Sequence, residues 1–198
     1  MNKKEQLKQW LCLWYGQKEL ELPEDDESSD GTITPEDMKE LKSLVRPFDT
    51  NIKVGEIRML SSELVEADRP YYIAVIKEWD ADMVLIAPYA PFPVPATQYE
   101  LETGRDHFSL AVLECWNTRS ILTQLLEKSW VVDKLSKQEM EEAFAVFSSS
   151  FTGRPLPKEL EDRVGLPIVN PKDPRIQYQN QEMELIAPLT RKSMELDN

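Results

Sequence analysis

The chain has 198 residues, of which 41% are hydrophobic, so it is long enough for one domain with a packed core and appended segments. Its formal net charge of −13 argues against a protein that coats nucleic acid through a basic surface. The N-terminus is charged from Lys3 onward, and no apolar run approaches the ~20 residues that a membrane helix needs, so neither a signal peptide nor a membrane span is predicted.

The reactive side chains are sparse. The two cysteines, Cys12 and Cys115, are far apart in the sequence, and no paired-cysteine motif of the kind that binds zinc is present. The single histidine, His107, excludes chemistry that needs two histidines of one chain. We therefore expect a reduced, cytoplasmic protein of bacterial type that uses no metal and no cofactor.

Residues 1–47 are predicted to form two helices joined by an acidic linker. The first helix covers residues 3–20 and has an apolar stripe that we expect to pack on the main domain. The stripe consists of Leu7, Trp10, Leu11 and Trp14.

The acidic linker, residues 21–32, has the sequence ELPEDDESSDGT. We interpret it as a solvated connection, and the alternative is a polyanion that covers a basic groove as a nucleic-acid mimic does. Thr34 is a suitable N-cap and Pro35 a suitable first residue for the second helix, which is expected to end before Pro47.

The main domain is predicted over residues 52–148. Five short runs rich in β-branched and aromatic residues are separated by charged or proline-rich pieces, which is typical of a small antiparallel barrel. A last short strand is expected at Trp130 to Val132. A helix follows, because Ser136 and Glu139 have the spacing of a capping box. The predicted class is therefore mainly β with flanking helices.

Residues 153–198 are predicted to be an irregular C-terminal arm that wraps over the domain or over a partner subunit. The arm is rich in proline, with a short helix near residues 157–164 and an extended segment at residues 183–189, MELIAPL. The pattern gives no indication of what this arm does.

Four short motifs occur in order along residues 52–148. They are Gly55-Glu56-Ile57, Arg69-Pro70, the run CWNTRSI at residues 115–121, and Leu135-Ser136 with Gln138-Glu139-Met140 and Ala143. In this order and spacing they resemble the PemK/MazF-type toxin family of toxin–antitoxin modules. The resemblance does not extend to the N-terminal helices or the C-terminal arm.

The resemblance implies an SH3-like antiparallel β-barrel closed by a C-terminal helix, a homodimer formed through the barrel, and a small antitoxin-like partner protein. It also implies metal-independent cleavage of RNA, which needs cations at the phosphate and a proton carrier nearby. Arg69 lies where family members place an arginine that stabilises the phosphate, so it is the candidate catalytic and RNA-binding residue. Its structural alternative is a surface ion pair with Glu66 or Asp68.

Arg119 and Ser120 are the other candidate RNA-binding residues, as contacts to an RNA phosphate in the groove of a dimer. The alternative role of Arg119, which we favour, is structural: it would bind loop carbonyls or the carboxylate of Glu114. A likeness of fold does not by itself carry an activity.

Three departures from the family pattern argue against strong catalysis. Glu114 and Trp116 flank Cys115 where some members carry an arginine and an aspartate, and a carboxylate at the first position repels phosphate. Pro88-Tyr89 stands where other members have a threonine or serine, and a tyrosine with a pKa near ~10 is a poor base at neutral pH.

The charge of the domain agrees with these departures. Residues 52–130 contain seven Lys and Arg against twelve Asp and Glu, a balance of −5. We therefore predict a divergent PemK/MazF-like protein, related to toxin–antitoxin modules, with weak or lost catalysis and a binding role. The alternatives are an active, growth-inhibiting endoribonuclease masked by its acidic N-terminal segment, and a protein outside this family.

Overall fold

The computed structural model describes residues 2–19, 47–65, 67 and 69–196. The acidic linker at 21–32, the second helix predicted from Thr34 and the two proposed partners of Arg69, Glu66 and Asp68, lie outside the described residues.

The predicted N-terminal helix is confirmed as α1, Lys3–Glu19. The rings of Trp10 and Trp14 stack 5.6 Å apart and pack edge-on against Phe92 and Tyr178. Both indoles are buried, at 0% and 5% exposure. The tryptophan stripe therefore packs on the chain's own domain, as the sequence predicted.

Seven strands follow α1 in the described part of the chain. Five form one antiparallel sheet in the order β6-β3-β2-β1-β7, and β4 pairs with β5 in a separate ribbon. Their bounds are β1 Glu56–Leu60, β2 Tyr71–Asp80, β3 Met83–Pro88, β4 Glu100–Glu102, β5 Val112–Glu114, β6 Arg119–Leu122 and β7 Ser129–Lys134. Each of the five predicted runs contains one of the strands β1 to β5, and the strand predicted at Trp130 is confirmed as part of β7. The fifth run is a strand only in its middle, because Phe108–Leu110 and Cys115–Asn117 are short 3-10 helices.

The five-stranded sheet is strongly coiled. Leu122 ends β6 at the level of Asp80, the last residue of β2, whereas Ser129 begins β7 at the level of Tyr71, the first residue of β2. In a flat sheet these corners would lie about 35 Å apart, since strands are about 4.8 Å apart and rise about 3.3 Å per residue. The chain that joins them reaches at most about 25 Å even when extended. It also contains the short helix α2, Thr123–Leu126.

The edges of this coiled sheet do not meet through hydrogen bonds, because β6 and β7 form no ladder with each other. The structure therefore shows an antiparallel sheet that is not closed.

Both faces of the sheet are covered by helices. On β2, Ala74 and Ile76 belong to the core beneath α3, Lys137–Thr152, while Ile73 and Val75 belong to the core beneath α4, Pro174–Leu196. The alternation follows from the two-residue period of a strand. Helix α3 begins with the predicted capping box: Ser136 accepts from Glu139 N, and the Glu139 side chain accepts from Ser136 N.

The prediction of an irregular C-terminal arm was wrong for residues 174–196, which form α4 and include the segment expected to be extended. The short helix near 157–164 is confirmed as a 3-10 helix, Lys158–Arg163. Pro188 and the polar residues on the buried stripe hid the helical pattern. Packing on the sheet stabilises the helix although Pro188 removes one of its hydrogen bonds.

The class is mixed α and β, because the described helices contain more residues than the described strands. Arg119 and Ser120 begin β6, whose ladder partner is β3. The run is only four residues long, so its pattern alone could not distinguish a strand from a turn.

Candidate functional site

Arg69, the candidate catalytic residue, lies just before β2 and is held by the C-terminal helix. Its Nη2 donates to both carboxylate oxygens of Glu182, at 3.1 and 2.9 Å. The guanidinium carbon also lies 5.4 Å from the centre of the Tyr71 ring, a cation–π contact. The Arg69 side chain is 33% exposed and that of Glu182 only 7%. Arg69 therefore already has an anionic partner, supplied by a helix that the sequence had not predicted.

Glu114, which replaces a family arginine, is fully buried at the end of β5. The Tyr178 hydroxyl donates to one of its oxygens at 2.5 Å, and Asn117 Nδ2 donates to the other at 3.1 Å. Burial raises the pKa of the Glu114 carboxyl well above its usual value, and the nearby charges of Glu182 and Glu100 raise it further. Glu114 is thus a structural group inside the molecule and not a repelling charge on its surface.

Glu100, on β4, is a second fully buried carboxyl. It accepts from Ala96 N at 2.5 Å and from the Trp116 indole N–H at 2.9 Å. Burial raises the pKa of Glu100 to about 7, although these two hydrogen bonds act in the opposite direction. Trp116, which replaces a family aspartate, therefore helps to hold a buried carboxyl.

One polar cluster lies where β4, β5 and α4 meet. It consists of Arg69, Glu100, Glu114, Trp116, Tyr178 and Glu182. Burial also raises the pKa of Glu182, with Arg69 acting in the opposite direction. Burial likewise raises the pKa of Tyr71, whose hydroxyl has no hydrogen-bond partner among the described residues. Arg69 is the one cation that contacts a cluster carboxylate directly among the described ion pairs. The cluster joins α4 to the ribbon and to β2, and its carboxyls favour the neutral form more than exposed carboxyls do.

Arg119 and Ser120 line a cavity of about 410 Å³ between the edge strand β6 and helix α4. Arg119 Nη1 donates to the carbonyl of its neighbour Thr118 at 3.3 Å, as the structural alternative expected for a loop carbonyl. Arg69 does not line this cavity, so the three candidate RNA-binding residues are not brought into one pocket. Tyr71 lies within electrostatic range of both arginines.

Tyr89, at the position of the missing family hydroxyl, offers no proton carrier. The side chain is 1% exposed, and its hydroxyl has no hydrogen-bond partner in the described part of the chain. Burial raises the pKa of Tyr89 further above the ordinary value of 10. Burial raises the pKa of Cys115 in the same way, so its thiol is a core group.

Gly55, the first residue of the family motifs, has a clear structural role. Its φ of +87° lies in the left-handed region, where glycine is favoured, and it is the third residue of the turn Lys53–Glu56 that leads into β1. At this position the motif therefore reflects a requirement of the fold and supplies no reacting group.

Sequence analysis missed Glu182 and Tyr178, the helix residues that complete the cluster. A signal was present, because Asp173 followed by Pro174 is an N-cap with proline at the first helical position. In the structure the Asp173 carboxylate accepts from Arg175 N at 3.0 Å.

No protein-family model matches this chain, and no curated protein sequence is significantly similar to it. Across residues 2–19, 47–65, 67 and 69–196, no helix is long and apolar enough to cross a membrane. In the same ranges, no three histidine, cysteine or carboxylate side chains are grouped as a metal ion would require.

Proposed function

We propose that this chain is a divergent PemK/MazF-like protein with weak or absent endoribonuclease activity, and that it acts by binding. The observation that carries the proposal is the ion pair between Arg69 and Glu182. It supports the loss of activity because the arginine at the position that stabilises the phosphate in the family already has an anionic partner. The proposed partners are a second copy of the chain and a small antitoxin-like protein.

The fold supports a relationship to SH3-like barrels. The sheet is coiled tightly enough for a short connection to join its opposite corners, and its last strand pairs with its first. The capped helix α3 packs on one face, as the closing helix of that family is expected to do. A barrel in which β6 and β7 approach each other without a ladder is the finer description that we propose.

An RNA phosphate that binds Nη2 of Arg69 would displace a carboxylate that is almost fully buried. Leaving one member of a buried ion pair without its partner costs about 3 kcal/mol or more. That cost corresponds to a loss of about 100-fold in affinity for the phosphate. Competition from Glu182 therefore weakens both binding and stabilisation of a transition state at this arginine.

The lack of a proton carrier at positions 88 and 89 weakens catalysis independently. Pro88 has no titratable group, and Tyr89 is buried with a raised pKa. A general acid or base contributes about 10²–10⁴-fold to a rate. The two losses together support a protein that retains the fold and has little of the activity.

A second candidate function is an endoribonuclease kept silent by its own chain. The observation that favours it is again Glu182, whose carboxylate occupies the place of a phosphate on Arg69. In this version of the hypothesis, the segment that blocks the site is helix α4 and not the acidic N-terminal segment, which lies outside the described residues.

The test is cleavage of a mixed-sequence RNA by the full chain in the presence of a chelator. The variants are Glu182→Gln, its combination with Arg69→Ala, and Glu184→Gln, which alters an exposed carboxylate of the same helix as a control. Neutralising Asp25, Asp26 and Glu27 in the full chain tests the N-terminal segment. We expect no variant to cleave.

Cleavage by Glu182→Gln that disappears with Arg69→Ala would replace our proposal by the masked enzyme. Cleavage by the wild-type chain that depends on Arg69 would show that the ion pair does not prevent activity. Sedimentation at high micromolar concentration tests the dimer, and a monomer there would contradict it.

A further inference from the structure

Arg119 differs from the other partly buried arginines of the described chain because it has no carboxylate partner. The buried and partly buried arginines that have one are Arg58 with Glu56, Arg69 with Glu182, Arg105 with Asp133 and Glu139, Arg163 with Glu142, and Arg175 with Asp173. In a protein with a net charge of −13, a half-buried guanidinium bonded only to the neighbouring carbonyl has most of its donors available.

Among the described residues, the cavity that contains Arg119 is lined by hydroxyl-bearing side chains and by no carboxylate. Its walls are Met83, Thr118, Arg119 and Ser120 from the sheet and Thr190, Ser193 and Met194 from α4. Two of these hydroxyls already donate to backbone carbonyls, Thr118 to Cys115 O and Thr190 to Ile186 O, so Ser120 and Ser193 are the hydroxyl donors that remain. Three other cavities each have carboxylate side chains in their walls, Glu78, Asp80 and Glu127 in one, Glu78 and Glu141 in another, and Glu63 and Glu195 in the third. The Arg119 cavity is therefore suited to an anion in a protein that is otherwise acidic.

Several donors converge on this cavity. The Ser193 hydroxyl oxygen accepts from Leu122 N at 3.0 Å, so its own hydrogen is free to be donated elsewhere. The Leu122 N–H therefore points away from β3, toward the free edge of strand β6. The Ser120 N–H is expected to point the same way, because N–H groups alternate in direction along a strand. Ser120 is one of the residues that line the cavity, and its hydroxyl has no hydrogen bond within the described residues.

The charges around Arg119 are few. Burial lowers the pKa of the Arg119 guanidinium, while Tyr71 and the buried Glu114 act in the opposite direction. Glu114 is bound by Tyr178 and Asn117 and does not line the cavity. An anion that entered the cavity would therefore meet one cation and hydroxyl donors without displacing an ion pair.

We propose that this cavity between β6 and α4 is a binding site for a phosphate group. A guanidinium binds phosphate oxygens through two parallel hydrogen bonds, and hydroxyl and backbone N–H groups complete such a site. A cavity of about 410 Å³ has room for a phosphate with the sugar or base that carries it. The site goes beyond the function proposed above, because Thr190 and Ser193 come from a helix outside the family resemblance and phosphate binding requires no RNA cleavage.

The test uses the full chain and three probes at constant ionic strength: inorganic phosphate, a nucleoside monophosphate and an oligoribonucleotide without terminal phosphates. Calorimetric titration should show saturable binding of at least one probe. Arg119→Gln should weaken it by about 10-fold or more, since a hydrogen bond to a charged group is lost. Arg119→Lys should retain part of the binding. Arg191→Gln, which removes the same charge from the exposed surface of α4, should leave binding unchanged.

The probes distinguish the sources of the phosphate. Binding of the monophosphate or of inorganic phosphate alone assigns the site to a small phosphorylated molecule, and Arg119-dependent binding of the oligoribonucleotide assigns it to an RNA backbone. Absence of Arg119-dependent binding for every probe, or an equal loss in Arg191→Gln, overturns the proposal.

Circular dichroism establishes whether Arg119→Gln is folded. If it is not, Ser120→Ala serves instead, because it removes one hydroxyl and no charge. A clear loss of affinity in that variant supports the site, and unchanged affinity overturns it. Because RNA cleavage is measured separately, a failure of this site is distinguishable from a failure of the function proposed above.

Discussion

Glu182 and Arg69 are 113 positions apart in the chain, yet both carboxylate oxygens of Glu182 lie within 3.1 Å of one guanidinium nitrogen of Arg69. The contact joins the C-terminal helix to the start of β2 at the residue that a ribonuclease of the resembled family would use on phosphate. It makes Arg69 part of the structure of this protein.

Replacing Arg69 by alanine is expected to destabilise the fold by about 3 kcal/mol, because it leaves the Glu182 carboxylate buried without its cation. The combined change Arg69→Ala with Glu182→Gln should cost less than the sum of the single changes, since the unpaired charge is also removed. Urea unfolding of the four proteins measures this difference. Glu184→Gln, on the exposed side of the same helix, should stay within about 0.5 kcal/mol of wild type. Additive effects of the two changes would contradict the pairing.

The buried carboxyl of Glu100 should make the fold less stable as the pH rises. The pKa of Glu100 is raised from 4.5 to about 7, so between these values the folded chain binds more protons than the unfolded chain. Stability therefore falls through this window, by about 3 kcal/mol for this group, and the loss is complete above pH ~7.

Unfolding free energies at about pH 5 and about pH 8 measure the effect. Glu100→Gln should reduce the difference between the two pH values, whereas Glu102→Gln, on the same strand, should preserve it. An unchanged difference in Glu100→Gln would show that Glu100 is ionised in the folded state across the whole range.

The tryptophans of α1 should contribute strongly to stability, although they lie outside the family-like domain. Trp10 is fully buried between Trp14, Phe92 and Tyr178. Trp10→Ala is expected to cost about 3–5 kcal/mol in the free energy of unfolding. Tyr15→Ala, on the exposed side of the helix, should have a small effect. Equal small effects of both changes would show that α1 does not dock in solution.

The capping box of α3 gives a local prediction. Ser136→Ala removes the side chain that accepts from Glu139 N and should cost about 1 kcal/mol. Ser148→Ala, inside the same helix, should be neutral or slightly stabilising, because alanine has the higher helix propensity. Thermal unfolding compares the two, and a neutral Ser136→Ala would show that water replaces the cap at no cost.

The features predicted correctly from the sequence are those that depend on residues close to one another in the chain. The Ser136 cap and the strands around Ile57, Ile73 and Ile86 depend on neighbours within a few residues and on a two-residue alternation, so their patterns are visible. The helix containing Glu182 was missed because its buried stripe combines apolar Ile186 and Leu189 with charged Arg175 and Glu182.

The candidate site was harder to predict, because its partners are distant in the sequence. The ion pair of Arg69, the bond from Tyr178 to Glu114 and the bond from Leu122 N to Ser193 all involve α4. Once that helix is assigned to an irregular arm, no local pattern places these side chains on the sheet. Arg69 and Arg119 could be chosen as candidates from motif spacing, but their surroundings could not.

Single-turnover incubation of wild-type protein, in excess over a mixed-sequence RNA and with chelator, tests the central claim most directly. Our account predicts no cleavage above that of a sample without protein, because Arg69 is already bound by Glu182 and the hydroxyl of Tyr89 is buried and has a raised pKa. Cleavage by the wild-type chain that is abolished by Arg69→Ala and retained by Arg191→Gln would contradict it.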